Sequence, residues 1–192
     1  MIKKGDKSAG AAYQHCGMTG DVRNCQVMVM LTYAAASGHT FHDRRLCLPG
    51  SWTIDRERCQ AAGAPGEIVF ATKPRPGIAM LAGGLPFPWA DADYGKDPAL
   101  RSWLHDQRIR YVLAVPVTLP VRGPPGKPRL PKAAAAGDLL HYATVRAGAP
   151  QPGRGSKGQR SYDWAWFEVT LPGQMPADGF AHCLLIRRST EK

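Results

Sequence analysis

Long apolar runs, paired cysteines and acidic residues are all in short supply in this 192-residue chain. No stretch approaches the roughly 18 to 20 uncharged apolar residues that a bilayer span needs, so no membrane span is expected. The opening Met1-Ile2-Lys3-Lys4-Gly5-Asp6-Lys7 has no apolar segment behind its lysines, which argues against a secretory leader. The five cysteines are an odd count without a C-x-x-C pair, so neither a disulfide framework nor a zinc ribbon follows. Cys25 lies in the apolar run Cys25-Gln26-Val27-Met28-Val29-Met30-Leu31, the setting of a buried, reduced thiol in a cytoplasmic protein. His39 and His42 have no cysteine or carboxylate pair at ligand spacing, so a structural metal is not expected there. Gly and Pro total 38 residues, about a fifth of the chain and below the roughly 25 to 30% that marks low complexity. With 44% hydrophobic residues, a chain this long can bury about 70% of its unfolded surface.

What is present in excess is positive charge. Lys and Arg number 25 against 15 Asp and Glu, a net charge of +10. The surplus is concentrated: between residues 101 and 160 eleven basic residues face only Asp106 and Asp138. A positive field of that density attracts polyanions whatever the fold, and contacts to phosphate give affinity without sequence choice.

The pattern along the chain reads as α/β. Residues 24 to 36 form an apolar strand closed by Ser37-Gly38, and residues 39 to 48 resume an extended pattern, giving a hairpin. Trp52 to Gly63 suits a short helix with a glycine stop, and Ile68-Val69-Phe70 a short strand. Pro74 and Pro76 read as breakers before a helical pattern from Ile78 to Leu81. Asp97-Pro98 opens a helix with an acidic N-cap and a proline at its first position, and Leu100, Trp103 and Leu104 mark one face. Tyr111 to Val115 is a buried-strand run that Pro116 stops. From Pro116 to Pro131 six of sixteen residues are proline, an exposed connector. Tyr162 to Leu171 and Phe180 to Arg187 are two further strands, and Trp164 and Trp166 share a face that is expected to pack into a core.

Among the few acids, Asp91 and Asp93 stand together in Ala90-Asp91-Ala92-Asp93-Tyr94-Gly95, ahead of the capped helix. A carboxylate between a strand end and a helix sits where open α/β sheets place ligands, but by itself the motif reads first as turn chemistry, which Asp before Tyr-Gly also suits.

Read together, several segments resemble bacterial insertion-sequence transposases of the DDE superfamily. They include Lys3-Lys4-Gly5, Lys7-Ser8-Ala9-Gly10, Asn24-Cys25-Gln26-Val27, Asp43-Arg44 leading to Leu48-Pro49 and Trp52, Asp55 to Cys59 and Thr72-Lys73-Pro74. Asp91 to Gly95, Leu100 to Leu104, Tyr111 to Pro116, Tyr162-Asp163-Trp164 and Leu184 to Ser189 complete the set, in the family's order and mostly at its spacing. The resemblance implies a ribonuclease-H-like core whose three carboxylates hold two divalent ions, Mg²⁺ or Mn²⁺. Such ions activate the attacking oxygen and stabilise the leaving oxygen at phosphorus. The family's second aspartate maps onto Asp91, the catalytic and metal-ligand candidate, with Asp93 as the fallback. The first aspartate would precede Met1, because Met1-Ile2 occupies the end of the family's Gly-Phe-x-Lys-Lys-Gly stretch, and the final glutamate would follow Lys192. One of three carboxylates is therefore expected in this chain, a truncated catalytic domain inactive by itself, with Pro74 to Asp91 shorter than in the family.

The implied organisation is a partial ribonuclease-H-like core over residues 1–118, a basic Pro/Gly-rich connector over 119–160 and part of a β-rich insertion over 161–192. In the family the insertion helps to grip DNA ends. Arg122, Lys127, Arg129, Lys132, Arg154, Lys157 and Arg160 are the candidates for phosphate contacts, interleaved with Tyr142, Tyr162, Trp164 and Trp166 as stacking platforms. The implied partners are transposon-end DNA and another transposase copy, in the cytoplasm at the nucleoid. The competing readings are a non-catalytic basic module that binds nucleic acid and a decayed reading frame.

Overall fold

The computed structural model describes residues 1–84, 88–123, 134–135, 153–155, 158–160, 162–171 and 180–189. Two antiparallel hairpins come first. β1 (Ala12–Cys16) pairs with β2 (Asp21–Cys25) across a tight turn in which Gly20 takes a positive φ of 74°. β3 (Val27–Ala35) pairs with β4 (Gly38–Cys47), and His42 is the extra residue of a bulge between the pairs Leu31–Asp43 and Thr32–Phe41. The expected strand over 24–36 is thus broken at Gln26. Its backbone bonds to Met1 instead, and its side chain donates to the Ala9 carbonyl at 2.7 Å. The inner half of the second hairpin buries Val29, whereas its outer half is exposed on both faces, including Tyr33 and Phe41.

The helix expected over Trp52 to Gly63 divides into α1 (Gly50–Thr53) and α2 (Arg56–Ala61). Asp55 causes the division, because its carboxylate caps the second helix by accepting from the Arg58 backbone N–H at 2.9 Å. Trp52 is fully buried, donates its indole N–H to the Ala11 carbonyl at 2.8 Å and carries the Arg58 guanidinium 3.9 Å above its ring. The expected strand at Ile68-Val69-Phe70 does not form. Arg56 takes the Gly66 and Ile68 carbonyls, and Val69 and Phe70 stay exposed.

α3 (Pro74–Leu81) corrects the reading of its two prolines as breakers. Both lie in the first turn, where a helix has no use for their missing N–H groups. β5 (Trp89–Ala90), α4 (Ala92–Gly95), α5 (Pro98–Asp106) and β6 (Val112–Leu113) then form one unit, with β5 and β6 parallel. Asp97 caps α5 as expected, accepting from the Leu100 N–H at 2.8 Å. The helix ends with Arg108 at a φ of 54°, which allows Ile109 N–H to reach the Leu104 carbonyl and Arg108 N–H the His105 carbonyl. The strand expected over Tyr111 to Val115 shrinks to two paired residues, as short as its partner β5.

Further on, β7 (Pro120–Val121) pairs with β8 (Ala134–Ala135), and β9 (Gly153–Gly155) with β10 (Gly158–Arg160). The two terminal strands are present as expected: β11 (Tyr162–Val169) and β12 (His182–Ser189) form an antiparallel ribbon from Tyr162–Ser189 to Val169–His182. Its inner face contributes Phe167, Val169, Leu184 and Ile186 to a cluster with Leu119 and Val121. Trp166 alternates onto the other face and is 67% exposed, so the expectation that it packs into a core is corrected.

Two further clusters of buried side chains lie among the described residues. One surrounds Trp52 with Leu48 and Cys59, and the other joins Leu81 of α3 to Leu100 and Leu104 of α5. Cys25 is fully buried as a free thiol, in line with its apolar surroundings. The described chain is therefore α/β, built from small sheets and short helices. No helix among the described residues is long and apolar enough to cross a membrane.

Candidate functional site

The two acids singled out from the sequence have different local roles. Asp91 directly follows β5, at the C-terminal outlet of the parallel pair, and is the N-cap of α4. One of its carboxylate oxygens, Oδ1, accepts the Asp93 N–H at 3.0 Å. The residue is exposed, and no described lysine or arginine forms an ion pair with it.

Asp93, two residues on, is held by two cations. Its Oδ2 accepts from Lys73 Nζ at 2.7 Å and its Oδ1 from Lys96 Nζ at 2.9 Å. Hydrogen bonds from those ammonium groups, Lys73 first, pull its carboxyl down to a pKa of about 2. An acid neutralised from both sides is a poor cation ligand. The geometry therefore separates Asp91, with a carboxylate open to solvent, from Asp93, which ties α4 to the start of α3.

The Tyr-Gly pair that follows fixes α4 in place. Tyr94 is half-buried, and burial together with the negative charge of Asp91 pushes its phenol up to about 12, so it stays protonated. Gly95 is buried against β6. A Cβ there would run into the Ala114 carbonyl and come within 3.1 Å of Val115 Cγ1. The Gly95 carbonyl in turn accepts from Arg101 Nη1, which ties the last turn of α4 to α5. Beside Asp91 opens a cavity of about 420 Å³, walled mainly by apolar side chains that include Met30, Leu31, Met80, Trp89 and Leu113.

Sequence reasoning located Asp91 but did not assign roles to Lys73, Lys96 and Arg101, which settle the neighbourhood. The available signal was a lysine directly before a proline-led helix, Lys73-Pro74, and a second lysine one residue after the Asp-Tyr-Gly cluster.

Among the described residues no three of His, Cys, Asp and Glu stand together as a metal site. Asp91 offers one hard oxygen ligand, whereas a pair of divalent ions needs several. The described residues alone thus do not fit the two-ion group that the resemblance implies, and no reaction step is routed through it.

Three of the phosphate-contact candidates lie among the described residues. Arg122 is exposed, and its backbone exchanges hydrogen bonds with Thr170, 3.0 Å from Arg122 N to Thr170 O and 2.7 Å in return. The backbones of Arg154 and Arg160 lie in β9 and β10, with Arg154 opposite Gln159 and Arg160 opposite Gly153. Lys127, Arg129, Lys132 and Lys157 lie outside the described residues, as does Tyr142.

A strand, a carboxylate at its outlet and a helix that returns to a parallel neighbour form the frame at which open α/β sheets place ligands. The sequence pattern of the DDE superfamily endonucleases matches residues 1–173, and the chain belongs to that family. No curated protein and no solved structure gives a match.

Proposed function

We propose that this chain is a segment of a bacterial insertion-sequence transposase, with residues 1–118 a partial ribonuclease-H-like core, 119–160 a basic connector and 161–192 part of a β-rich insertion. In this reading Asp91 supplies one carboxylate to a divalent-metal site, and Mg²⁺ or Mn²⁺ bound there would supply the phosphodiester chemistry of the complete enzyme. The chain alone holds DNA without cutting it. The observation that carries the proposal is the contrast between the two acids: Asp91 is exposed at the strand outlet, and Asp93 is clasped by Lys73 and Lys96.

Two measurements test it. Millimolar Mn²⁺ should broaden the NMR signals of residues 90–92 before those around the other acids, and Asp91→Asn should abolish that preference. Equal broadening at all acids would refute the metal-ligand role. For DNA, affinity should fall steeply with salt, and Arg122→Ala should reduce the log–log slope by about one. A flat slope, or cleavage by the isolated chain, would contradict the reading.

A non-catalytic nucleic-acid-binding module remains the second reading. It is favoured by Trp166, whose ring is presented to solvent on the ribbon that packs beside Val121, next to Arg122.

A further inference from the structure

Among the described residues, a concentration of unsatisfied polar chemistry lies away from Asp91, where α5 meets the start of β12. The rings of His105 and His182 stack with centroids 5.2 Å apart and planes inclined by 26°. Phe180 meets His105 edge-on, also at 5.2 Å, and Tyr111 tilts against His182 at 6.2 Å. Arg101 sits one turn before His105 on α5. Arg101 is 8% exposed and His182 9%.

Four polar atoms in this cluster are buried without a hydrogen-bond partner: Arg101 Nε, His105 Nδ1, the Tyr111 hydroxyl and His182 Nε2. Groups buried in this way are uncommon in folded proteins, and four in one cluster need a reason. The charge balance sharpens the point. Arg101 is a buried cation whose described bond is to a neutral carbonyl, that of Gly95. No described carboxylate forms an ion pair with it or with either histidine, and Asp97, whose charge acts on Arg101, spends its side chain on the Leu100 N–H. Viewed from every element packed against it, His182 faces Arg101 and His105 from α5, Tyr111 from the segment entering β6, and Phe180 from its own strand's approach. None of these groups offers a negative charge near neutral pH. Among the described residues no carboxylate pairs with a second positive charge while the cluster stays closed.

We propose that the His105–His182 stack is an acid-released latch that holds the β11–β12 ribbon against the core helix α5. At neutral pH the His182 imidazole is uncharged and packs face to face with the His105 ring. Protonation of His182 puts a second cation beside Arg101 with no described carboxylate paired to it, and separating the ribbon from α5 is the direct way to hydrate it.

The direction of the pH effect follows from the same geometry. Burial first, then the charges of His105 and Arg101, hold the His182 imidazole below its ordinary range. The detached state, with His182 in water, takes up its proton at about 6.5. The latch is therefore fully effective above that pH. Below it, the population of detached ribbon rises about tenfold per pH unit until the lower pKa of the closed state is reached.

The test is hydrogen exchange on the full chain, expressed as protection factors at pH 7.5, 6.5 and 5.5, with an NMR titration of the His182 ring. Protection of Trp164–Val169 and His182–Ile186 should fall by about tenfold between pH 6.5 and 5.5, while protection in β3 and β4 holds. His182→Gln, which cannot titrate, should remove that dependence. Should this variant fail to fold, the wild-type titration decides alone. A His182 pKa at or above 6.5, ribbon protection independent of pH, or an equal loss in β3 and β4 would each overturn the latch.

Discussion

Replacing Gly95 with alanine adds one methyl group to a site with no space for it. The new Cβ would overlap the Ala114 carbonyl and press on Val115 Cγ1 at 3.1 Å. The obstacle is backbone on both sides, α4 and the end of β6, so rotation of a side chain cannot relieve it. Overpacking commonly costs about 1 to 3 kcal/mol, and an overlap with main chain belongs at the upper end, about 3 kcal/mol. For a chain of 192 residues each kcal/mol moves the melting temperature by about 2 to 4 °C, so a fall of about 6 to 12 °C is expected. Gly77→Ala is the internal control. A Cβ at Gly77 meets only the Tyr94 ring, at an ordinary 3.5 Å, and alanine favours the helix by about 0.5 to 1 kcal/mol. Calorimetric melts of the two variants should therefore shift in opposite directions. A Gly95→Ala melt within about 2 °C of wild type would refute the close approach of α4 to β6.

Other outcomes follow from the same geometry. The Asp93 carboxyl, held near a pKa of about 2, contributes stability that is complete above the ordinary value near 4 and is lost as pH falls towards 2. Because that side chain is 39% exposed, the contribution is screened to about 1 kcal/mol, and Lys73→Met should flatten this acid limb in urea titrations. Asp97→Ala removes the cap of α5 and should cost about 1 kcal/mol, measured in the same way. Trp166→Ala should leave stability within about 0.5 kcal/mol yet weaken single-stranded DNA binding by about 1 to 3 kcal/mol, since an exposed ring packs against little but can stack on a base.

Much of the local structure was legible in the sequence because its determinants are local. Asp97-Pro98 announces α5 through a cap and a proline, Ser37-Gly38 closes the β3–β4 hairpin, and two extended runs near the end of the chain form the β11–β12 ribbon. Expectations failed where a distant partner decides. The 68–70 segment has strand composition, but its neighbours' carbonyls are taken by Arg56. Gln26 interrupts an apolar run because Met1 and Ala9 bind it from elsewhere in the chain. At the site, the Asp-Tyr-Gly cluster marked Asp91, but periodicity could not reveal that Lys73 reaches across to Asp93. The histidine latch was invisible for the same reason, since its rings come from segments far apart in sequence.

The three separate clusters of buried side chains, around Trp52, between α3 and α5, and beneath the terminal ribbon, bear on how the protein comes apart. Among the described residues no buried side chain belongs to two of these clusters, so each patch has contacts of its own. A protease that nicks the chain between patches should leave folded remnants behind.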